Sequence, residues 1–400
     1  MTKYESLVEN TKKSICNTYG RYPVDITKAK GSRLWDLEGR EYIDLLSGIS
    51  VVNLGHCRED LADVMAEQAR KLVHVSNLFY QEEQVECAEK LLATCDADKV
   101  FFSNSGAEAN EAAIKLARKY MRTVKNRDAY EIITLEGSFH GRTLATLTAT
   151  GQTGPIKNGF SPLPEGFSSV PVGNIEAMSA AVSGKTAAIM VEMVQGEGGI
   201  KPLAHDYVQE IVALVKEKDI LLIVDEVQSG LCRTGKWWAH QHYGITPDIF
   251  TSAKALANGL PMGAMLATDE VAKGFTPGSH ATTFGGSALV SKVSSKVLDI
   301  MTEEKLADRA AEMGDFFISE ALKLKDKYPG KIVSVRGLGL MLGIELGFDG
   351  NEVFSKLRDK GFILNLTKGI ILRLLPALTI ERADLVSFLN TLDEILAEMD

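Results

Sequence analysis

The central stretch of the chain alternates short apolar runs with helical patterns, and this alternation constrains the fold more than any other feature. Lys99–Phe102, Glu131–Thr134, Ala187–Val191, Ile220–Val224 and Asp248–Thr251 have the length and makeup of buried strands. Helical faces lie between them. Ala109, Ala112, Ala113, Leu116, Ala117 and Tyr120 recur with the helical period and form one apolar stripe. Tyr207–Lys216 also reads as helical. Strands separated by helices are joined by crossovers, and crossovers make parallel neighbours. The expected fold class is therefore α/β with a mainly parallel sheet.

The two ends differ from the centre. Arg33–Leu37 and Glu41–Leu45 flank Glu38-Gly39-Arg40, a hairpin signal. Leu61, Val64, Met65 and Leu72 mark one amphipathic helix, and Val85, Ala88 and Leu92 another. Helical patterns cover roughly 288–327, and short strands follow near Ile332–Val335, Leu340–Glu345 and Ile370–Leu374. Leu385, Phe388, Leu389, Leu392, Ile395 and Leu396 then form a last helical face. This C-terminal pattern is α+β. The expected division is an N-terminal segment, 1–60, packing with a small domain, a large domain over 61–287, and the small α+β domain over 288–400.

Charge and cysteine use narrow the function classes. Lys and Arg number 44 and Asp and Glu 53, so the net charge is 44 − 53 = −9. Such a chain repels nucleic acid and anionic membranes unless a strong basic patch offsets it. Arg118, Lys119, Arg122, Lys125 and Arg127 read as a solvated helix terminus rather than such a patch. The five cysteines include no C-x-x-C pair, which suits free thiols in a reducing compartment. No secretory leader and no long apolar span is legible. The expectation is a cytoplasmic protein without nucleic-acid or membrane partners.

Three strand ends carry the chemistry. Ile220–Val224 runs into Asp225-Glu226, and ligands of open α/β sheets sit at the carboxyl ends of strands. Lys99–Phe102 runs into Ser103-Asn104-Ser105-Gly106-Ala107-Glu108, where a helix begins, and helix N-termini bind phosphate. Lys254 follows Asp248–Thr251 and precedes the turn at Gly259, a place suited to a Schiff-base lysine. Ser183-Gly184-Lys185-Thr186 is not a nucleotide loop, since Ser179 replaces the first glycine and a strand follows. A phosphate cup, a lysine and an acid for a pyridine nitrogen are together what pyridoxal phosphate requires.

The ordered motifs then resemble a family. They include Thr18-Tyr-Gly-Arg21, Ser76-Asn-Leu-Phe-Tyr80, Phe102–Arg118, Ser138-Phe-His-Gly-Arg-Thr143, Gln195-Gly-Glu-Gly-Gly199, Asp225-Glu-Val-Gln228, Arg233-Thr-Gly235, Lys254 and Thr282-Thr-Phe-Gly-Gly286. Over nearly its whole length the chain resembles the class III aminotransferases of pyridoxal phosphate fold type I, and within them the acetylornithine branch. The resemblance implies a large domain with a mainly parallel, seven-stranded sheet flanked by helices, and a smaller α+β domain. It implies Lys254 as the Schiff-base lysine and proton carrier, and Asp225 on the pyridine nitrogen. Gln228 would reach the ring hydroxyl, Phe139 would stack on the ring, and Gly106 and Ala107 would hold phosphate through backbone amides. Thr283 would reach a phosphate of the other subunit, making a homodimer with shared sites, and Thr282 would touch substrate.

The substrates implied are an amino donor and a 2-oxo acid. For the acetylornithine branch these are N²-acetyl-L-ornithine and 2-oxoglutarate, in arginine biosynthesis. Ornithine, succinylornithine, N-succinyl-LL-diaminopimelate and 4-aminobutyrate are the alternative donors. Guanidinium groups bind carboxylates bidentately, and Arg142 and Arg373 match the family's carboxylate-binding arginines. Glu197 matches the glutamate that masks Arg373 when the amino donor is bound. Met193, Thr282 and Ser287-Ala288 depart from the family pattern without removing a catalytic group. No metal site is expected. His240 and His242 read as a surface pair, His140 as a packing or hydrogen-bonding residue, and Gly337-Leu-Gly339 as a turn between strands.

Overall fold

The computed structural model describes residues 2–399. Its largest sheet has seven strands, in the order Lys99–Ser103, Gly263–Ala267, Ile249–Ser252, Leu221–Asp225, Thr186–Val191, Glu131–Leu135 and Phe167–Val170. Neighbours are parallel except Gly263–Ala267, which runs antiparallel to both strands beside it. This reversed strand and the edge strand Phe167–Val170 were not among the strands expected from sequence. Gly263-Ala-Met-Leu-Ala267 has only two large apolar residues and no helical pattern before it, so its period carries little signal.

The central strands are buried on both faces, which is why they read as continuous apolar runs rather than alternating ones. Alternate residues still serve different layers. Ala188, Met190, Leu221, Ile223 and Ile249 pack under the helix Gly106–Thr123, whose Ala112, Ala113, Leu116, Ala117 and Tyr120 face them. Ile189, Val191, Leu222 and Val224 pack into the opposite layer. The small alanines let the helix lie close to the sheet, and full burial of each large side chain contributes about 1.5–3 kcal/mol.

The terminal segments build a second layer. Lys28–Lys30, Arg33–Trp35 and Glu41–Asp44 form a meander, and Glu41–Asp44 pairs in parallel with Phe362–Ile363 from far along the chain. Arg33 adds a bidentate pair to Asp384, at 2.6 and 2.8 Å. A second, antiparallel sheet runs Ile332–Leu338, Met341–Leu346, Ile371–Leu374, Asn365–Thr367. Gly339 turns the chain between its first two strands with φ +52°, while Gly337 and Leu338, also expected in that turn, end the strand. The helix Ala288–Glu303 packs on Glu59–Lys71 and Glu82–Leu92, and Leu306–Lys327 packs on the second sheet.

One expectation is corrected here. His240 is buried, not a surface residue, and Trp238 is buried beside it. Asp225 and Glu226 point to opposite sides of the sheet, and Glu226 needs donors in its own layer. His240 supplies two of them, its backbone N at 2.8 Å and Nδ1 at 3.1 Å. Among the described residues no cluster of three or more potential metal ligands occurs. No described helix is long and apolar enough to cross a membrane.

Candidate active site

The strands Lys99–Ser103, Glu131–Leu135, Thr186–Val191, Leu221–Asp225 and Ile249–Ser252 all deliver their carboxyl ends to one edge of the sheet. A cavity of 390 Å³ opens there, lined by Gly106, Ala107, Phe139, Arg142, Glu197, Asp225, Gln228 and Lys254 among others. Eight residues proposed from sequence, distant along the chain, thus meet at one place.

The end of the cavity expected to take a phosphate is a helix start. Ser105 caps it, its Oγ accepting from Glu108 N at 3.2 Å. The amides of Gly106 and Ala107 are first-turn donors facing the cavity, where the helix dipole favours an anion. Gly106 is sterically required as it stands, since a Cβ there would lie 2.6 Å from Val227 Cγ1.

The acid is held by a buried network. Asp225 is 5% exposed. Its Oδ2 accepts from His140 Nδ1 and from Asn110 Nδ2, both at 2.8 Å, and its Oδ1 accepts from Val227 N at 3.0 Å. Asn110 is itself fixed, donating to His140 O at 2.7 Å and accepting from Thr251 Oγ1 at 2.7 Å. These contacts fix the carboxylate in place. Neither Asn110 nor Thr251 was singled out from sequence, because an isolated Asn on an alanine-rich helix carries no signal by itself.

Lys254 lies just beyond Ile249–Ser252 with φ +44°, a left-handed conformation costly for a residue with a Cβ. Burial pushes its amine down from 10.5 to about 8, against the opposing pull of Glu197 and Asp225. Among the described residues its Nζ has no hydrogen-bond or ion-pair partner. A half-buried lysine with no bound partner, driven toward the neutral amine, is poised as a nucleophile.

The two arginines expected to take carboxylates sit at two places. Arg142 is exposed at the cavity rim, its guanidinium 5.5 Å from the Phe139 ring centroid. Arg373 lies within the strand Ile371–Leu374, is 2% exposed, and pairs through Nη1 with Glu197 Oε1. Burial raises the Glu197 carboxyl, but the charge and hydrogen bond of Arg373 outweigh it and hold the group below its ordinary value. Arg373 lines an adjoining cavity of 670 Å³, and Glu197 lines both cavities.

Thr282 and Thr283 are not brought into either cavity. Thr282 Oγ1 accepts from Asn104 Nδ2 at 3.0 Å, and Asn104 lines the first cavity. Thr283 is exposed. Its loop is tied to Asn77, which donates to Thr282 O and Gly285 O at 3.3 and 3.0 Å. Leu78, Tyr80 and Phe284 nearby are strongly exposed apolar residues.

The residues present fit pyridoxal phosphate. Gln228 Oε1, His140 Nε2 and Arg373 Nε are buried without hydrogen-bond partners among the described residues. Buried polar atoms are normally satisfied, and Gln228 and His140 line the first cavity while Arg373 lines the second, so these open positions suit polar groups of a cofactor and a substrate. The amides of Gly106 and Ala107 suit a phosphate, Asp225 a pyridinium nitrogen, Gln228 a ring hydroxyl, Phe139 a ring face and Lys254 an aldehyde.

Comparison with known proteins converges on one group. Residues 15–396 match the family described as aminotransferase class-III. The acetylornithine aminotransferase of Methanocaldococcus jannaschii is 44% identical over 99% of both chains. That of Bacillus subtilis is 42% identical, covering 96% of this chain and 98% of its own. Among solved structures, the ornithine aminotransferase of Toxoplasma gondii superposes with a TM-score of 0.94 at 32% identity, over 99% and 96% of the two chains. The acetylornithine aminotransferase of Elizabethkingia anophelis gives 0.88 at 33% identity over the full length of both.

Proposed function

The chain belongs to the class-III aminotransferases, whose cofactor is pyridoxal 5′-phosphate, and from that membership we propose that it transfers the δ-amino group of N²-acetyl-L-ornithine to 2-oxoglutarate. The products are N-acetyl-L-glutamate 5-semialdehyde and L-glutamate, and the step belongs to arginine biosynthesis. The observation that carries the reading is the masked Arg373 beside the Lys254 cavity: one site that can present or hide a guanidinium suits two substrates of different charge.

When bound, pyridoxal phosphate supplies an electron-accepting ring that stabilises negative charge on a substrate carbon. The chain's residues do the rest. Gly106 and Ala107 hold the phosphate, Phe139 covers one ring face, and Gln228 orients the ring. Asp225, fixed by His140 and Asn110, would face the ring nitrogen and favour its protonated form. Lys254 would hold the cofactor through its Nζ and would carry the proton of the substrate carbon as general base and then acid.

Arg142 takes the carboxylate of the donor. In the donor half-reaction Glu197 stays on Arg373, since the donor has one carboxylate only. In the acceptor half-reaction Glu197 leaves and Arg373 takes the second carboxylate of 2-oxoglutarate, bidentately. Thr282, bonded to Asn104 beside the phosphate end of the cavity, would touch substrate. A second copy of the chain completes the site: Thr283 reaches its phosphate, and exposed Leu78, Tyr80 and Phe284 pack against it. The reducing cytoplasm suits the five free cysteines.

The second reading is a related ω-aminotransferase acting on ornithine, succinylornithine, N-succinyl-LL-diaminopimelate or 4-aminobutyrate. The close superposition on an ornithine aminotransferase favours keeping it. Turnover of the purified protein with each donor and 2-oxoglutarate separates the two. Acetylornithine should exceed the others by at least about tenfold in kcat/KM; a larger value for another donor replaces the first reading with the second.

A further inference from the structure

Glu192 is an acid of the cavity that the mechanism above leaves without a task. It follows the strand Thr186–Val191, is 6% exposed, and lines the same cavity as Phe139, Glu197 and Lys254. Its two oxygens are committed to two different loops. Oε2 accepts from Phe139 N at 3.0 Å, and Oε1 accepts from Gly196 N at 3.4 Å.

Those loops are the two working walls of the site. One carries the Phe139 ring and Arg142. The other carries Glu197, one residue beyond Gly196. A buried carboxyl that accepts from both fixes their separation, because any relative shift leaves an acceptor or an amide unsatisfied in a low-dielectric setting. Gly196 has little slack on its other side, where a Cβ would lie 2.0 Å from Gln228 Oε1. The titratable groups facing Glu192 are Asp225 and His140, with Lys254 across the cavity. Burial raises the carboxyl to about 7, and Asp225 adds to this while His140 and the two amides oppose it.

We propose that Glu192 is a positioning residue that sets how firmly Glu197 closes over Arg373, by tying the Gly196–Glu197 turn to the Phe139 loop. It touches neither substrate nor reacting atoms. The meaning of that closure rests on the transaminase reading. Loosening the tie frees Arg373 more often. Dicarboxylates then bind better, and a donor with one carboxylate binds worse.

The test uses Glu192→Gln and Glu192→Asp. Glutamine keeps one acceptor but turns an amide N–H₂ toward a backbone N–H, and aspartate keeps the carboxyl but cannot span both amides. The first readout is calorimetric binding of glutarate, an unreactive dicarboxylate, to the cofactor-free protein. E192Q should bind glutarate at least threefold more tightly than wild type, and E192D should shift the same way. The second readout is rapid mixing of the reconstituted protein with each substrate alone. E192Q should lose at least fivefold in apparent affinity for the amino donor while its affinity for 2-oxoglutarate holds or rises. Unchanged glutarate binding in both variants, or an equal loss for both substrates, overturns the proposal. A wild-type protein inert to every amino donor would instead overturn the transaminase reading, and glutarate binding would still judge Glu192.

Discussion

Arg373 and Glu197 form an ion pair whose members differ in freedom: the Arg373 side chain is 2% exposed and the Glu197 side chain 32%. The cation is built into a strand of the second sheet, with its neighbours buried on both sides. The acid sits on a loop between two cavities. If the pair opens, Glu197 moves and Arg373 stays. Replacing Arg373 by Met should therefore affect one half-reaction selectively. Loss of two charge-assisted hydrogen bonds is worth about 3 kcal/mol, or about a hundredfold in kcat/KM for 2-oxoglutarate. The donor half-reaction, measured alone by rapid mixing, should change by less than about fivefold.

The depressed Lys254 amine gives a pH dependence. Its ordinary value is 10.5 and burial brings it to about 8, so the neutral amine is already abundant in mildly basic solution. The rate of pyridoxal phosphate uptake by the cofactor-free protein should rise with pH up to about 8 and level off above it. An exposed lysine would keep rising toward 10.5. Stopped-flow absorbance across that range distinguishes them.

Asp225→Asn keeps the shape and one acceptor oxygen but removes the charge that His140 and Asn110 hold in place. Turnover should fall about a hundredfold or more, because a preorganised charge facing the ring nitrogen is lost. Melting temperature should stay close to wild type. Steady-state kinetics and a thermal melt of the same preparation check both.

Gly106→Ala should weaken pyridoxal phosphate binding by about tenfold, since the added methyl meets Val227 Cγ1 at 2.6 Å and displaces the phosphate-binding amides. Trimming the obstacle tests the cause. The double variant Gly106→Ala, Val227→Ala should recover most of the affinity in an equilibrium titration.

Arg233 is fully buried and donates to Ser50 Oγ, Leu340 O, Pro376 O and Asn53 Oδ1. It thereby pins the turn at Ser47–Ser50, where Ser47, Gly48, Ile49 and Ser50 all have positive φ, beside the second cavity. Arg233→Ala leaves several buried acceptors unpaired, so unfolding in denaturant should show a loss of about 3 kcal/mol or more.

The parts legible in the sequence are those written in local patterns. Thr186–Val191 and Leu221–Asp225 announce themselves because strands buried on both faces must be apolar throughout. Asp225 and Lys254 stand out because a charged residue ending such a strand has nowhere to go but the sheet's edge. Gly263–Ala267 was missed because small residues packed under a helix carry no period. Glu192 obeys the same strand-end rule as Asp225, yet its two backbone partners come from loops 53 and 4 residues away in sequence, which no local pattern records. His240 reads as a surface residue for a similar reason, since its burial is decided by Glu226, 14 residues away in sequence. Thr283 lies outside both cavities, so the packing of a single chain does not mark it.

The most direct test of the account is the absorption spectrum of the protein with pyridoxal phosphate, titrated with amino donors and followed by borohydride reduction. The expected result is a violet-region band that acetylornithine bleaches far more readily than ornithine or 4-aminobutyrate, with the label fixed on Lys254 after reduction of the untreated protein. A band that no amino donor bleaches, or a label on any lysine other than Lys254, would contradict the account.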